Sequence, residues 1–298
     1  MIIIKLSGGI GNQMFQYAAG YSLARRNRTE LLLDLSSYSK NSIHNGYELF
    51  KVFSIETSEA TNKELESIIG LRSNRLFYKL IEKYPLKILC GNNFYIQPFF
   101  HFDPSFDLVK ENSLLTGYFQ SEKYFLRYRK SISRIYAQCN KLNNLKGMNK
   151  KHLDEILNSN SISIHVRRGD YLTNISAYNE HGVCLTSYYI AAISHLKSLM
   201  KNLKFFVFSD DVVYSKLIFK GLSNITYIEN NIAEHSYLDM FLMSACKHNI
   251  IANSTFSWWA AWLNKNQNKV VIAPRKWFKS SKYTTTDLFP SDWILIDE

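Results

Sequence analysis

The feature that most constrains the fold is the alternation of short apolar runs with longer amphipathic segments in the second half of the chain. The apolar runs cover residues 161–166, 205–208, 225–228, 249–252 and 269–272. Segments with helical periodicity separate them, at residues 187–200, 212–219, 236–246 and 257–263. Strands buried in a parallel sheet are typically apolar on both faces, and alternating strands and helices favour such a sheet. The second half is therefore predicted to be a doubly wound α/β unit.

The first half begins with the same pattern and then becomes less regular. An apolar run at residues 2–6 is followed by a glycine-rich turn, a helical segment and a second apolar run at residues 31–34. Residues 43–91 predict only mixed helix and loop. We therefore expect an α/β protein with two units, residues 1–150 and residues 151–298.

Positive charge is unevenly distributed along the chain. The 298 residues include 36 Lys and Arg against 25 Asp and Glu, which gives a net charge of +11. The stretch from Lys123 to Lys151 contains nine basic residues and no acidic residue. Such a stretch suits a nucleic acid or an anionic membrane surface as a partner, and it equally suits a solvated helix face and linker without a partner.

The sequence contains no segment of the transmembrane or signal-peptide type. No run of 18 apolar residues occurs, and Lys5 interrupts the apolar residues at the amino terminus. We therefore predict a cytoplasmic protein that contacts an anionic membrane only peripherally.

The first candidate site is the segment Ser7–Gln13, with the sequence SGGIGNQ, between the first strand and the first helix. Its glycines allow the backbone to approach a ligand, and amide groups at the start of a helix attract anions. The spacing matches neither a P-loop nor the GxGxxG dinucleotide motif. Because the polar Asn12 and Gln13 begin an otherwise apolar helix, ligand binding is favoured over a plain tight turn.

The second candidate site is the segment His165–Tyr171, with the sequence HVRRGDY. It follows the carboxyl end of a predicted strand, which is where ligands bind in open α/β sheets. The adjacent Arg167 and Arg168 need an anionic partner, and a guanidinium fork matches a phosphate group. Asp170 is placed to orient one of the two arginines, and a purely structural Arg–Asp pair is the alternative.

Two further strands end in polar residues. Ser209, Asp210 and Asp211 follow the second strand of this half; paired carboxylates suit a metal ion or the donor-rich edge of guanine. The alternative is that one of the two acids, or Ser209, caps the next helix. Later, Ser254 and Thr255 begin a helix whose free amide groups can hold an anion.

Taken together, these segments resemble a known family. The order GGxGNQ, HxRRGDY, FSDD and ANSTFSWW is similar to that of the bacterial α-1,2-fucosyltransferases, glycosyltransferase family 11. The segments 117–125 (GYFQSEKYF) and 181–184 (HGVC) add to the resemblance, which extends from residue 2 to about residue 278. It implies a GT-B fold with two Rossmann-like domains facing a cleft, and inversion at the anomeric carbon. Residues 1–150 would form the acceptor-side domain, and residues 151–298 would form the domain that binds GDP-fucose. It also implies GDP-fucose as donor and a galactose-terminated glycan as acceptor.

The resemblance also implies residue roles. Arg167 would bind the diphosphate. The guanosine would be contacted by His165 and by one of Asp210 or Asp211. The backbone amides of residues 254–256 would hold phosphate, and residues 9–13 would face the fucose. The full set assigned to donor binding is Gly9, Asn12, Gln13, His165, Arg167, Arg168, Ser209, Asp210, Asp211, Asn253, Ser254, Thr255 and Phe256. Arg168 is expected to be the more structural arginine, because alternate residues leaving a strand point to opposite faces.

No metal ion is expected as a cofactor. The chain contains no Asp-x-Asp, the motif with which one large class of glycosyltransferases holds a metal-bound diphosphate. Arginines and helix dipoles would then have to balance the charge of the departing GDP.

The catalytic base is the least determined part of the site. Candidates near the motifs are Asp170, Glu180, His181, Glu234 and Asp239. Asp170 is preferred because it directly follows a strand end, with Arg167 and His181 as the other catalytic residues. In a dissociative route the departing phosphate itself accepts the proton, and no carboxylate is then indispensable.

Other activities compatible with these motifs are those of another GDP-sugar transferase and of an α-1,6- or protein O-fucosyltransferase relative. The glutamate that follows HxRRxD in the α-1,6 enzymes is absent from residues 172–176. A basic nucleic-acid-binding protein is the non-enzyme alternative, but it leaves the HVRRGDY and FSDD segments unexplained. We therefore predict no nucleic-acid partner, and a surface-polysaccharide or O-antigen acceptor that is lipid-linked at the inner membrane.

Overall fold

The computed structural model describes residues 1–38, 45–70, 93–137, 142 and 144–297. The chain forms two compact units. Unit 1 comprises Met1–Ile135 with Thr284–Phe289, and unit 2 comprises Tyr136–Tyr283 with Pro290–Glu298. The chain first passes from one unit to the other between Ile135 and Tyr136, whereas the sequence prediction places this boundary at residue 150.

Unit 1 is built on a parallel sheet with the strand order β2–β1–β4–β3. Its strands are β1 (Ile2–Lys5), β2 (Leu31–Asp34), β3 (Phe94–Ile96) and β4 (Ser113–Thr116). Its helices are α1 (Ile10–Asn27), α2 (Leu49–Phe53) and α3 (Asn62–Ile69), and α4 (Arg129–Tyr136) leads to unit 2. The central strand β1 is apolar and buried on both faces, as expected for a strand flanked by parallel neighbours.

Unit 2 contains a six-stranded parallel sheet with the order β10–β9–β8–β5–β6–β7. The strands are β5 (Asn160–Val166), β6 (Leu203–Ser209), β7 (Ile225–Ile228), β8 (His248–Ile250), β9 (Val271–Pro274) and β10 (Ile294–Ile296). The helices are α5 (Gly147–Leu157), α6 (Gly169–Thr173), α7 (Ile175–His181), α8 (Thr186–Leu199), α9 (Val212–Ile218), α10 (Tyr237–Ala245) and α11 (Thr255–Leu263).

The predicted α/β class with parallel sheets is confirmed. In unit 2 every predicted strand and helix is present, with ends shifted by a few residues. Of the irregular stretch 43–91, residues 45–70 contain α2 and α3, and residues 71–92 lie outside the described part of the chain. The sequence analysis missed β3, β4 and β10, which are only three or four residues long.

The core of unit 2 is apolar and aromatic. Trp258 and Trp259 on α11 are fully buried, as is Tyr188 on α8, so the tryptophans of α11 are core residues. Among the described residues, none of the helices combines the length and the apolar character needed to span a bilayer.

Candidate active site

The sheet of unit 2 brings three of the sequence motifs together. Strand β5 lies between β8 and β6, and the chain proceeds from β5 toward β7 on one side and from β8 toward β10 on the other. The carboxyl ends of three neighbouring strands therefore carry the motifs HVRRGDY, FSDD and ANSTF. In open α/β sheets, ligands bind at this point of reversal.

Arg167 is held by Asp210 at this edge. Nη1 of Arg167 lies 3.0 Å from Oδ2 of Asp210, and the backbone N–H of Arg168 donates to Oδ1 of the same carboxylate at 2.9 Å. A Cβ at Gly169 would lie only 2.9 Å from Oδ2 of Asp210, so glycine leaves the room that this carboxylate occupies. Asp210 thus orients Arg167, and the orienting role that the sequence suggested for Asp170 stays a prediction. Asp170 lies in α6, and its role as the base stays a prediction.

Arg168 is embedded in a second set of contacts. Its Nε lies 3.1 Å from Oδ2 of Asp211, and its guanidinium carbon lies 3.5 Å from the centre of the Tyr214 ring. The Tyr214 hydroxyl shares a hydrogen bond of 2.9 Å with the Thr186 hydroxyl. This combination of ion pair and cation–π contact gives Arg168 a structural role.

One of the two FSDD acids caps the following helix, as the structural alternative expected. The cap is Asp211, whose Oδ1 accepts from the backbone N–H of Tyr214 at 3.0 Å. The Ser209 hydroxyl accepts from the N–H of Asp211 at 2.9 Å. Asp210 and Asp211 are thus both bonded to arginines, and their predicted contact with guanosine stays a prediction.

His165 is a buried, neutral imidazole at the same edge. Burial lowers its pKa to about 4, against the negative charge of Asp210, which acts to raise the pKa. Its Nδ1 has no hydrogen-bond partner among the described residues. The ring centre lies 5.8 Å from that of Phe256, which links the HVRRGDY segment to the start of α11.

The amino end of α11 adds a positive helix dipole. Ser254 is its N-cap, and the hydroxyl accepts from the N–H of Phe256 at 3.4 Å, while Thr255 and Phe256 are partly exposed. The preceding Asn253 donates its side-chain amide to the carbonyl groups of His181 (3.0 Å) and Trp277 (3.2 Å). Asn253 therefore ties down the loop after α7, and its predicted contact with the donor stays a prediction.

The remaining candidates for the catalytic base, besides Asp170, differ from one another in burial and in hydrogen bonding. The ring of His181 packs 5.4 Å from that of Phe278, and Glu180 accepts from the Tyr283 hydroxyl at 2.6 Å. The Glu234 side chain is 63% exposed. Asp239 accepts from the Asn231 amide at 2.6 Å, and burial raises its pKa to about 7. In the described ranges, no three His, Cys, Asp or Glu side chains come together as a metal-ligating group.

The glycine turn of unit 1 is a rigid structure. Gly8 has a φ of +74°, and a Cβ there would lie 2.6 Å from Nδ2 of Asn12. Gly9 is the N-cap of α1 and provides no side-chain cap, and the carboxylate of the buried Glu48 accepts from the N–H of Ile10 instead.

Gln13 and Asn12 differ in their surroundings. Gln13 is fully buried; its Nε2 donates to the carbonyl groups of Gly8 (3.1 Å) and Gly46 (2.8 Å), and its Oε1 accepts from the N–H of Glu48 at 2.9 Å. Gln13 thus stabilises the glycine turn through hydrogen bonds to the backbone. Asn12 is partly exposed, and its Oδ1 accepts from Nε2 of Gln120 at 3.0 Å. The predicted contacts of Gly9, Asn12 and Gln13 with a sugar stay predictions.

Tyr214 and Gln120 are among the residues that contact predicted site residues and that sequence reasoning missed. Tyr214 lies against Arg168, and Gln120 binds Asn12. Gln120 belongs to the GYFQ segment that carries part of the family resemblance, so a signal was present. Tyr214 gave no signal beyond its position three residues after Asp211.

Comparison with known proteins identifies close sequence relatives. The family described as Glycosyl transferase family 11 matches residues 74–297. An alpha-1,2-colitosyltransferase of Escherichia coli is 35% identical over 100% of this chain and 99% of its own length. The O-antigen biosynthesis glycosyltransferase WbnK of Escherichia coli is 37% identical over 97% of this chain and 98% of its own.

More distant matches include a sequence relative and a solved structure. The galactoside 2-alpha-L-fucosyltransferase Sec1 of Mus musculus is 23% identical over 88% of this chain and 64% of its own. The structure of NodZ alpha-1,6-fucosyltransferase from Bradyrhizobium, co-crystallized with GDP, aligns with a TM-score of 0.50 at 17% identity. That alignment covers 87% of this chain and 90% of NodZ, and at this identity it shows the fold alone.

Proposed function

This chain belongs to glycosyltransferase family 11, and on that premise we propose that it transfers L-fucose from GDP-fucose to the 2-hydroxyl of a terminal galactose. The reaction inverts the anomeric carbon. The names of the relatives support an α-1,2 linkage, and the name of WbnK supports an O-antigen acceptor.

The observation that carries the proposal is the position of Arg167. Its guanidinium group is fixed by Asp210 at the edge where the strand order reverses, and the positive end of α11 belongs to the same edge. Departing GDP gains negative charge as the bond to the sugar breaks. Arg167 and the positive amino end of α11 provide preorganised positive charge for that diphosphate.

The remaining steps follow from the geometry of inversion. The acceptor hydroxyl attacks the face of the sugar opposite GDP, and its proton passes to a base as the new bond forms. Asp170 is the proposed base. His165, neutral and buried, provides a hydrogen bond to the guanosine without adding charge. No metal ion takes part, since the arginine and the helix dipole balance the diphosphate charge.

The proposed acceptor is a lipid-linked oligosaccharide, which brings the enzyme to an anionic membrane. Around α4, Lys123, Arg127, Lys130 and Arg134 are exposed, and Leu126 is an exposed apolar side chain among them. Basic groups around an apolar residue suit a surface of anionic lipids.

Colitose is the second candidate for the transferred sugar. The colitosyltransferase relative aligns over the whole chain, and colitose differs from L-fucose only in lacking the 3-hydroxyl group. The two donors therefore differ in a single hydroxyl group of the sugar. The role proposed for Arg167 at the diphosphate is the same for both donors.

A competition assay tests the proposal. Purified enzyme is given GDP-fucose and GDP-colitose together with a panel of galactosides in buffer containing EDTA, and the product linkage is determined by NMR. The expected product carries fucose on the 2-hydroxyl of galactose. Preferential transfer of colitose would show that GDP-colitose, not GDP-fucose, is the donor. A product with the sugar on a hydroxyl other than the 2-hydroxyl would refute the proposed linkage. Activity that returns only with added Mg²⁺ would refute metal independence.

A further inference from the structure

Tyr214, in the first turn of α9, is a residue of unit 2 that the donor chemistry does not use. Its backbone N–H donates to Oδ1 of Asp211, the N-cap of the helix, at 3.0 Å. Its side chain is partly buried and packs against the apolar core of unit 2. The Tyr214 hydroxyl shares a hydrogen bond of 2.9 Å with the hydroxyl of Thr186, at the start of α8. The ring is therefore held at both ends, by its own helix and by the neighbouring one.

The face of this ring covers Arg168. The guanidinium carbon of Arg168 lies 3.5 Å from the centre of the Tyr214 ring, well within the distance of about 6 Å at which a cation is attracted to an aromatic face. Oδ2 of Asp211 accepts from Nε of the same guanidinium group at 3.1 Å. A guanidinium group stacks on an aromatic ring with its plane and pairs with a carboxylate through its edge, so the two contacts restrain it in different directions. The first turn of α9 and its N-cap thus fix the Arg168 side chain.

The position of Arg168 sets that of Asp210 through the backbone. The N–H of Arg168 donates to Oδ1 of Asp210 at 2.9 Å, and Oδ2 of the same carboxylate lies 3.0 Å from Nη1 of Arg167. The two oxygens of one carboxylate therefore connect the backbone at Arg168 to the guanidinium group of Arg167. The backbone packs closely on this carboxylate, since a Cβ at Gly169 would come within 2.9 Å of Oδ2.

The ion pair of Arg167 and Asp210 is a weak constraint when taken alone. Both side chains are partly exposed, and such a pair gains little energy with which to hold two side chains in one geometry. Asp210 keeps its orientation because its second oxygen is bonded to the backbone at Arg168. A rotation of that peptide group would release Asp210, and the side chain of Arg168, held by Tyr214, opposes the rotation. The orientation of Arg167 is thus coupled to the ring of Tyr214.

We propose that Tyr214 is a positioning residue of the transfer reaction: by holding Arg168 in place, its ring keeps Arg167 in the orientation that binds the diphosphate of the donor. The aromatic face has this role, and the hydroxyl group only supports the ring. That Arg167 binds a diphosphate rests on the proposed function, whereas the coupling of Tyr214 to Arg167 rests on the contacts described above.

The first test measures binding of GDP and of GMP by calorimetry, because GMP lacks the second phosphate group of the diphosphate. In Tyr214→Leu the preference for GDP, expressed as the ratio of the two Kd values, is expected to fall about tenfold, because Arg168 loses its aromatic face. A merely structural loss would weaken the binding of both nucleotides and leave the ratio unchanged. Tyr214→Met is a second variant, since it fills the space with a flexible apolar side chain. Tyr214→Phe keeps the ring and should keep the ratio within about threefold of the wild type.

Tyr227→Leu is the matched control. Tyr227, on β7, packs against the same core, and Nζ of Lys216 lies 5.6 Å from its ring centre. It therefore also joins an aromatic ring to a cation, but that cation is not one of the motif arginines. The control should keep the wild-type ratio of the two Kd values, and thermal unfolding shows that each variant is folded.

The second test combines Tyr214→Leu with Arg167→Lys in a double-mutant cycle, measured as kcat/KM for the donor. If the ring acts through Arg167, Tyr214→Leu should lower kcat/KM about tenfold in the wild type and less than about twofold in the Arg167→Lys background. Equal losses in both backgrounds, an unchanged preference for GDP in Tyr214→Leu, or an equal loss of preference in Tyr214→Phe would overturn the positioning role and leave the proposed function untouched. An unchanged preference for GDP in Arg167→Lys would instead overturn the proposed role of Arg167 at the diphosphate, and the positioning role with it.

Discussion

Replacing Arg167 by lysine keeps the positive charge and removes the planar fork. In the wild type, Nη1 of Arg167 lies 3.0 Å from Oδ2 of Asp210. Lysine has one compact ammonium group in place of a rigid fork of donors. That group can pair with Asp210 or with the diphosphate, but it cannot bind both in the way that the guanidinium does. We therefore expect Arg167→Lys to lose most of its activity although the net charge of the protein is unchanged.

The expected magnitudes differ for activity and for stability. Removing one positioned donor to charge that develops in the transition state costs about 3 kcal/mol, which is roughly a hundredfold or more in rate. The Arg167 side chain is 31% exposed and that of Asp210 is 26% exposed. An ion pair with that exposure contributes at most about 1 kcal/mol to folding. The variant should therefore fold normally and show a large decrease in kcat/KM.

The assay is transfer from GDP-fucose to lactose at varied donor concentration, together with thermal unfolding. Arg26→Lys is the matched control, because Arg26 also pairs with an aspartate, Asp107, but lies in the last turn of α1, away from the glycine turn. The control should keep its activity within about twofold, as expected for an exposed ion pair. Near-normal kcat/KM in Arg167→Lys would show that the diphosphate is bound elsewhere.

Three further predictions concern the base, a buried acid and the basic stretch. Asp170→Asn keeps the shape of the side chain and removes its basicity, so transfer should slow about a hundredfold with GDP affinity unchanged; weakened GDP binding with normal turnover would instead make Asp170 a donor-binding residue. The pKa of Asp239 is raised to about 7 in the folded protein. Its contribution to stability is therefore present below about pH 4 and is lost as the pH rises through 7, by at most about 4 kcal/mol. Thermal unfolding between pH 5 and pH 8 should show a steeper loss of Tm in the wild type than in Asp239→Asn, and parallel curves would contradict the assignment. Binding to anionic vesicles should be measurable by sedimentation and should weaken with salt; binding that is absent, or insensitive to salt, would leave the stretch Lys123–Lys151 as a solvated surface.

The class of the fold and the main elements of unit 2 could be predicted from local sequence patterns. Apolar runs of strand length and helical periodicity are local properties, so β5 and α10 could be predicted from their own residues. The motifs could also be assigned to strand ends, because each directly follows an apolar run. Strands β3 and β10 were missed, whereas β8, which is equally short, was predicted because it lies between two segments with helical periodicity.

The contacts between side chains of different motifs could not be predicted in this way. The sequence placed Asp170 near both arginines, but it gave no sign that the folded sheet brings Asp210, at the end of the adjacent strand β6, to Arg167. Gln13 was assigned to a ligand on its polarity; the folded chain adds that its amide bonds to the backbone at Gly8, Gly46 and Glu48, and the contact with a ligand stays a prediction. Strand order is set by how the buried faces of distant segments pack, and no local pattern encodes it. Contacts between residues far apart in the chain therefore became visible only in the folded sheet.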